Sequence, residues 1–119
     1  MDGTLLRKDK TVSERTKKAI EDARKKGVTV VLATARPIDG VTKYLEELDM
    51  YGENDYVLSY NGGLVLKTKN REAICKIGLT GEDLHYLYEI SKELGVNIHA
   101  FSETKGLITP KNSKYTEVE

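Results

Sequence analysis

Three short segments of the sequence carry residues that suit the binding of an anion. They are Asp2 to Thr4, Thr34 to Arg36 and Asn61 to Gly63. Thr34 offers a hydroxyl group, and Arg36 offers a guanidinium that can bind two phosphate oxygens at once. The glycines in the other two segments allow a ligand to approach the backbone closely. A phosphate group is the ligand that these residue types favour.

Each segment also has an ordinary structural interpretation. Asp-Gly and Asn-Gly-Gly are common turn sequences, a threonine at the end of a strand often bonds its neighbours, and an arginine before proline is usually solvated. A shared site is favoured because all three segments are placed at carboxyl ends of strands in one predicted sheet. Open α/β sheets bind their ligands at that edge.

The elements around these segments alternate between helix and strand. Helices are predicted over residues 13–26 and from Pro37 onward, where apolar residues recur every three or four positions. Strands are predicted in "VTVVLAT", residues 28–34, and in "DYVLSYNGG", residues 55–63. The first run is apolar throughout, which is typical of a strand covered on both faces. The alternation predicts an α/β fold with a parallel sheet.

The pattern changes after Leu64. Two strands around the polar turn 69–71 predict an antiparallel hairpin, and Thr80 to Asp83 resembles a capping box that begins a further helix. "VNIHAF" and "GLITP" then read as short strands, so the C-terminal part looks like the start of an α+β unit. We therefore expect two domains, covering residues 1–78 and 79–119.

Composition excludes several classes of protein. The 119 residues hold 19 basic and 19 acidic side chains, which leaves no overall field for a nucleic acid. No apolar run approaches the length of a membrane span, so no membrane partner is expected. The single cysteine, Cys75, excludes an internal disulfide and is expected to be a small buried side chain. A cytoplasmic location is the expectation.

The motifs resemble those of the Cof-type branch of the haloacid-dehalogenase-like hydrolases, and of its sugar phosphatases in particular. "MDGTLL" is similar to the D-x-D-G-T-L-L of that family, and "VVLATARP" to its strand ending in Thr or Ser with Gly-Arg-Pro. "DYVLSYNGG", "GVTKYLEELDM" and "GLTGEDLHYLYEIS" extend the resemblance over essentially the whole chain. It implies a partial Rossmann-like core followed by the beginning of a cap domain.

The resemblance also implies a reaction. Enzymes of the family are Mg²⁺-dependent phosphatases of small phosphorylated metabolites and act through an aspartyl-phosphate. It assigns acid/base catalysis to Asp2, whose backbone carbonyl would also bind the metal. Thr34, Ala35 and Arg36 would bind the phosphate. Asn61 and Gly62 would belong to a loop near the substrate.

The sequence departs from the family pattern in three ways. Met1 occupies the x of D-x-D, so the nucleophilic aspartate would precede the first residue, and the family's lysine and metal loop would follow the last. Ala35 stands where glycine is usual, and its Cβ could crowd the phosphate loop. We therefore expect these 119 residues to be inactive.

Three interpretations of the incomplete motifs remain open. The chain is an inactive phosphatase fragment, a non-catalytic phosphate-binding or interaction remnant, or an incomplete reading of an intact gene. If the family's first strand is absent, the strand over residues 28–34 has an unpaired edge. That edge predicts self-association into a homo-oligomer.

Overall fold

The computed structural model of the chain describes residues 1–102 and 105–110. It contains two compact units, Met1–Ile77 and Gly78–Glu119. Residues 111–119 of the expected cap segment lie outside the described residues. The assignment of the two units to a family core and a cap stays a prediction.

The first unit is a mixed sheet flanked by helices. Its described elements are α1 (Glu14–Lys25), β1 (Val31–Ala33), α2 (Asp39–Glu47), β2 (Tyr56–Ser59), β3 (Leu64–Lys67) and β4 (Ala73–Lys76). The strand order is β1-β2-β3-β4. β1 and β2 are parallel, with Val31 opposite Tyr56, whereas β2 with β3 and β3 with β4 are antiparallel. The parallel pair and the crossover helix between its strands confirm the predicted α/β class.

Both helices of this unit lie close to their predicted positions. The hydroxyl of Ser13 caps α1 by accepting a hydrogen bond from the Thr16 N–H at 3.0 Å. α2 begins at Asp39 rather than at Pro37, and Ile38 at its N-cap makes no side-chain capping bond. Pro37 therefore precedes the helix instead of occupying its first turn.

The core of the first unit lies on one face of the sheet. The side chains of Val41, Tyr44, Met50 and Val57 are at most 1% exposed and pack together there. On β1, Leu32 belongs to this core, whereas Val31 is 40% exposed. The expectation that the strand over residues 28–34 is covered on both faces is therefore wrong for the described residues.

Residues Ala73 to Lys76 of β4 are exposed throughout. Cys75 in this strand is a free, exposed thiol, so the expectation that it is buried is also wrong. β4 is the last strand of the sheet, and its pairing with β3 shifts register between Val65 and Leu66. Cys75 has apolar neighbours in the sequence, but it lies on an edge strand that no described element covers, and it is therefore exposed.

The guanidinium of Arg24 joins α1 to the end of α2 and to the turn before β2. It donates to the carbonyl oxygens of Leu48 at 3.2 Å and Asp49 at 2.7 Å, which follow α2. It also pairs with Asp55 Oδ2 at 2.5 Å, and that carboxylate accepts from the Gly52 N–H at 2.7 Å. Because the Asp55 side chain is 8% exposed, Arg24 supplies the charge that makes its burial tolerable.

The second unit contains α3 (Gly81–Leu94), β5 (Ala100–Ser102) and β6 (Gly106–Ile108). α3 begins with the predicted capping box, in which Thr80 and Asp83 bond each other's backbone N–H groups, and it ends at Gly95 with φ of 65°. β5 and β6 pair in antiparallel orientation. Among the described residues, no helix is both long and apolar enough to cross a bilayer.

Replacement of Arg24 tests its structural role. Arg24→Met leaves the buried carboxylate of Asp55 without its cation and two carbonyl groups without their donor. We expect the free energy of unfolding to fall by about 2–3 kcal/mol, measured by urea denaturation. Lys25→Met is the matched control, because Lys25 pairs with Glu21 on an exposed surface, and its stability should equal that of the wild type. Equal stability of the two variants would contradict the assignment.

Candidate functional site

The ends of β1 and β2 are joined by three backbone hydrogen bonds. The Thr34 N–H donates to Leu58 O at 2.9 Å, which continues the parallel ladder by one residue. Beyond it, the Asn61 N–H donates to Thr34 O at 3.0 Å and the Tyr60 N–H donates to Arg36 O at 3.2 Å. Parallel pairing therefore places the segment 34–36 beside the segment 60–62, as the sequence predicts for two strands that end at one edge.

A cleft of about 420 Å³ opens between these two segments. Its lining residues are Met1, Ala33, Thr34, Ala35, Leu58, Asn61 and Gly62. The structure thus brings together four residues that the sequence analysis placed in one site, Thr34, Ala35, Asn61 and Gly62. Their roles toward a ligand stay predictions.

The segment after β2 has an unusual backbone. Tyr60, Asn61 and Gly62 have φ angles of 50°, 56° and 89° and form a short 3₁₀ turn. Asn tolerates the left-handed region, whereas Tyr adopts it rarely. A Cβ on Gly62 would meet no atom within 4 Å, so its φ angle rather than lack of space favours glycine there. The turn reverses the chain into β3, which pairs with β2 in antiparallel orientation.

The backbone N–H of Arg36 orients the hydroxyl of Thr34. The Arg36 N–H donates to Thr34 Oγ1 at 3.2 Å. A hydroxyl that accepts one bond still has its own proton to donate. Thr34 can therefore donate a hydrogen bond to an oxygen of a ligand in the cleft.

The Arg36 guanidinium extends from the cleft toward the N-terminal segment. Its Nη1 donates to Gly40 O at 3.3 Å, and its central carbon lies 5.6 Å from the centroid of the Tyr44 ring. Its Nη2 donates to both carboxylate oxygens of Asp2, at 3.0 and 2.9 Å. The backbone at Arg36 therefore belongs to the cleft segment, while its side chain is engaged by Asp2.

Asp2 is held by two cations and does not line the cleft. Lys10 Nζ donates to its Oδ1 at 2.6 Å, and Arg36 binds both oxygens. Met1 is the residue of this segment that lines the cleft, and its carbonyl accepts from the N–H groups of three residues in the following turn. The structure brings Asp2 to Arg36 but does not place its carboxylate in the wall of the cleft.

The two cations change the protonation of Asp2. Hydrogen bonds from Lys10, and then from Arg36, lower the pKa of the Asp2 carboxyl from 3.8 to about 2. The same pairing raises the pKa of Arg36. In this arrangement Asp2 is ionised at neutral pH, so it can accept a proton but is not itself a proton donor.

Sequence reasoning missed two residues of this arrangement, Lys10 and Tyr44. The side chain of Tyr44 is 1% exposed, and its hydroxyl donates to Lys10 O at 3.1 Å. Lys10 belongs to a basic stretch after Asp2 that reads as solvated surface, and Tyr44 fits the apolar face of its helix. A cation within ten residues of a candidate acid is the signal that could have identified Lys10.

A metal ion is implied by the resemblance, and the described residues do not by themselves fit one. In residues 1–102 and 105–110, no group of three or more His, Cys, Asp or Glu side chains could hold a metal. The Asp2 carboxylate already has two cationic partners, which disfavours a divalent cation at the same oxygens. No chemical step through a metal follows from these residues.

The ion pairs of Asp2 predict a pH dependence. Its pKa is lower in the folded state, so the pairs stabilise the fold above about pH 4 and are lost as the pH falls toward 2. Lys10→Gln and Arg36→Gln should each raise the pKa of Asp2 toward 3.8. The measurement is an NMR titration of the Asp2 carboxyl carbon in metal-free buffer. Lys69→Gln, which removes a cation from Glu53, is the control. A wild-type value near 3.8 would contradict the arrangement.

Comparison with known proteins gives the family. The sequence model of the haloacid dehalogenase-like hydrolases matches residues 1–119. YxeH of Bacillus subtilis (strain 168), named as a candidate phosphatase, is 42% identical over 121 residues, which cover 100% of this chain and 44% of YxeH. The chain thus spans less than half the length of this relative.

Solved structures agree with the sequence comparison. A haloacid dehalogenase-like hydrolase from Bacteroides thetaiotaomicron superposes with a TM-score of 0.80 at 27% identity, covering 96% of this chain and 42% of the other. The subclass IIB sugar phosphatase BT4131 superposes with a TM-score of 0.77 over 99% of this chain and 44% of its own. At 22% identity, the second comparison shows likeness of fold alone. The family match extends over the whole sequence, and the chain therefore belongs to the haloacid dehalogenase-like hydrolase family.

Proposed function

We propose that the chain forms the phosphate-binding part of a phosphatase that hydrolyses small phosphorylated metabolites, sugar phosphates among them, through an aspartyl-phosphate. The observation that carries the proposal is the hydrogen-bonded junction of the segments 34–36 and 60–62 around one cleft. Membership of the hydrolase family supports it. The name of BT4131 as a sugar phosphatase suggests the substrate class.

The groups at the cleft suit the oxygens of a phosphate. The Thr34 hydroxyl has a proton to donate, and the backbone of Ala35 lines the same cleft. The Arg36 guanidinium supplies a positive charge at the adjoining edge, and α2 begins three residues later, at Asp39, with the positive end of its dipole. Together these groups provide charge-assisted and neutral donors for an anion.

The catalytic part of the proposal depends on Asp2. The family resemblance gives it the acid/base role, in which a base activates water. Lys10 and Arg36 lower the pKa of its carboxyl to about 2 and make it a weak base, so the role requires these ion pairs to be broken. Mg²⁺ remains part of the proposal as the cation that the family uses, with the Asp2 carbonyl as the ligand this chain would contribute.

The proposal also includes a cytoplasmic location, with neither a nucleic acid nor a membrane as partner. It rests on the balance of basic and acidic residues and on the single cysteine, which is a free thiol.

A second candidate function is phosphate binding without catalysis. It is favoured by the carboxylate of Asp2, which two cations hold away from the cleft wall. It needs no metal, since the Thr34 hydroxyl can donate to an anion, and the Arg36 guanidinium would add its charge on exchanging Asp2 for that anion. The two candidates differ in turnover, not in the residues that bind phosphate.

Phosphate binding is the direct test. A polypeptide of these 119 residues should bind inorganic phosphate in the presence of EDTA, as measured by isothermal titration calorimetry. Loss of a charged donor in Arg36→Gln should weaken binding by roughly tenfold to a hundredfold. Arg15→Gln is the matched control, because Arg15 is an exposed arginine of α1. Equal affinities of the two variants, or no binding by the wild type, would exclude the cleft as a phosphate site.

Turnover tests whether these residues are catalytic by themselves. Because the resemblance gives none of these residues the nucleophile's role, the same polypeptide should bind p-nitrophenyl phosphate without releasing p-nitrophenol, with or without Mg²⁺. Release that requires Mg²⁺ and is lost in Asp2→Asn would instead show that these residues suffice for catalysis.

We also propose that the free edge of β1 pairs with a second copy of the chain. β1 is the first strand of its sheet, Val31 is 40% exposed, and Val28 before it is 54% exposed. Residues 28–34 carry no charge, so antiparallel pairing of two such edges across a twofold axis brings no like charges together. The apolar edge therefore complements itself.

Val31→Lys tests this pairing. A charge on the edge should shift the polypeptide toward the monomer, measured by size-exclusion chromatography with light scattering. Ile74→Lys is the matched control, since Ile74 is 51% exposed on β4 at the opposite edge of the same sheet. A wild type that is monomeric at every concentration, or an equal effect of both variants, would refute the proposal.

A further inference from the structure

Tyr44 contacts both residues whose cations hold Asp2, the backbone of Lys10 and the guanidinium of Arg36, although it does not line the cleft. Its side chain is 1% exposed in the core, and its ring and its hydroxyl serve different neighbours. The hydroxyl donates to the carbonyl oxygen of Lys10 at 3.1 Å. The ring lies 5.6 Å from the guanidinium carbon of Arg36. One buried side chain therefore connects residues 10 and 36, which are distant in the sequence.

Lys10 needs such support because its backbone is strained. Its φ angle is 64°, in the left-handed region, which is unfavourable for a non-glycine residue. Two backbone bonds close the surrounding turn: Lys10 N–H donates to Arg7 O at 3.0 Å, and Arg7 N–H donates to Thr11 O at 2.9 Å. The Tyr44 hydroxyl adds the bond that ties this turn to α2. With the turn in place, the Lys10 ammonium lies 2.6 Å from Asp2 Oδ1.

The guanidinium of Arg36 is positioned by the aromatic ring of Tyr44. A guanidinium over the face of an aromatic ring is attracted by the electron density of that face. The Tyr44 ring and the carbonyl of Gly40 together leave Nη2 directed at both oxygens of Asp2. A further cation, Lys43 Nζ, lies 4.7 Å from the centroid of the same ring. The ring thus lies among cations at this end of the site.

We propose that Tyr44 is a positioning residue that sets Lys10 and Arg36 on the carboxylate of Asp2, the hydroxyl acting on Lys10 and the ring on Arg36. This inference rests on the proposed function only where it treats Lys10 and Arg36 as part of a phosphate site. The placement of both side chains by Tyr44 does not depend on whether the chain binds phosphate.

Tyr44→Phe separates the two contacts, because it removes the hydroxyl and keeps the ring. The readout is the side-chain NMR signals of the Lys10 ammonium and the Arg36 Nε–H, recorded without phosphate. The unpaired population of Lys10 should rise roughly fivefold, the factor expected for loss of one neutral hydrogen bond, seen as faster exchange of its protons with water. The Arg36 signal should change less than that of Lys10, because the ring that faces the guanidinium stays, although the hydroxyl also acts on Arg36.

Two references exclude a general loosening of the fold. The Lys69 ammonium, paired with Glu53, should not change, and Tyr51→Phe should leave the Lys10 signal as in the wild type. Unchanged exchange at Lys10 in Tyr44→Phe would overturn the proposal, and so would equal changes at Lys10 and Lys69.

Phosphate affinity then gives the functional consequence. If Lys10 contributes to the anion site, Tyr44→Phe and Lys10→Gln should weaken phosphate binding in the same direction, and Tyr51→Phe should not. If the wild type binds no phosphate, the proposed function fails while the NMR result still decides the role of Tyr44.

Discussion

The candidate site depends on the parallel pairing of β1 with β2. Parallel strands end at the same edge of a sheet, so the pairing alone brings two chain segments together there. The hydrogen bond from Thr34 N–H to Leu58 O continues that pairing, and the bonds from Tyr60 and Asn61 to the opposite segment extend it past the strands. Since backbone groups make these contacts, the cleft keeps its shape when side chains such as Ala35 vary.

The charged side chains of the site lie beside the cleft rather than in its wall. Asp2, Lys10 and Arg36 form an ion-paired group whose members come from the N-terminal turn and the loop after β1. Exposed ion pairs contribute little to stability, so their value here is geometric. They keep the guanidinium of Arg36 at the edge of the cleft and lower the pKa of Asp2. The ion pair between Arg24, in the last turn of α1, and the buried Asp55 has the larger structural role.

Short-range signals made much of the fold predictable from the sequence. The Ser13 cap, the capping box of Thr80 and Asp83, and the left-handed Gly95 each depend on neighbours within a few residues, and each is present. Features that depend on distant residues were not predictable. β1 is shorter than its apolar run because Val31, Leu32 and Ala33 are the residues of that run that pair with β2 as a strand. Tyr44 and Lys10 are 34 positions apart, and local patterns do not link them.

Backbone strain is concentrated near the edge that holds the candidate site. Among the described residues, non-glycine residues with positive φ are Lys10, Asp49, Tyr60, Asn61 and Arg71. Asp49 follows a helix and Arg71 turns a hairpin, positions where such angles are common. Of the other three, Asn61 lines the cleft, Tyr60 precedes it in the same turn, and Lys10 pairs with Asp2. Lysine and tyrosine are not residue types that turns with positive φ favour. Strained residues persist where surrounding contacts over-determine them. The Tyr44 hydroxyl on Lys10, and the bonds from Tyr60 and Asn61 to the segment 34–36, are contacts of that kind.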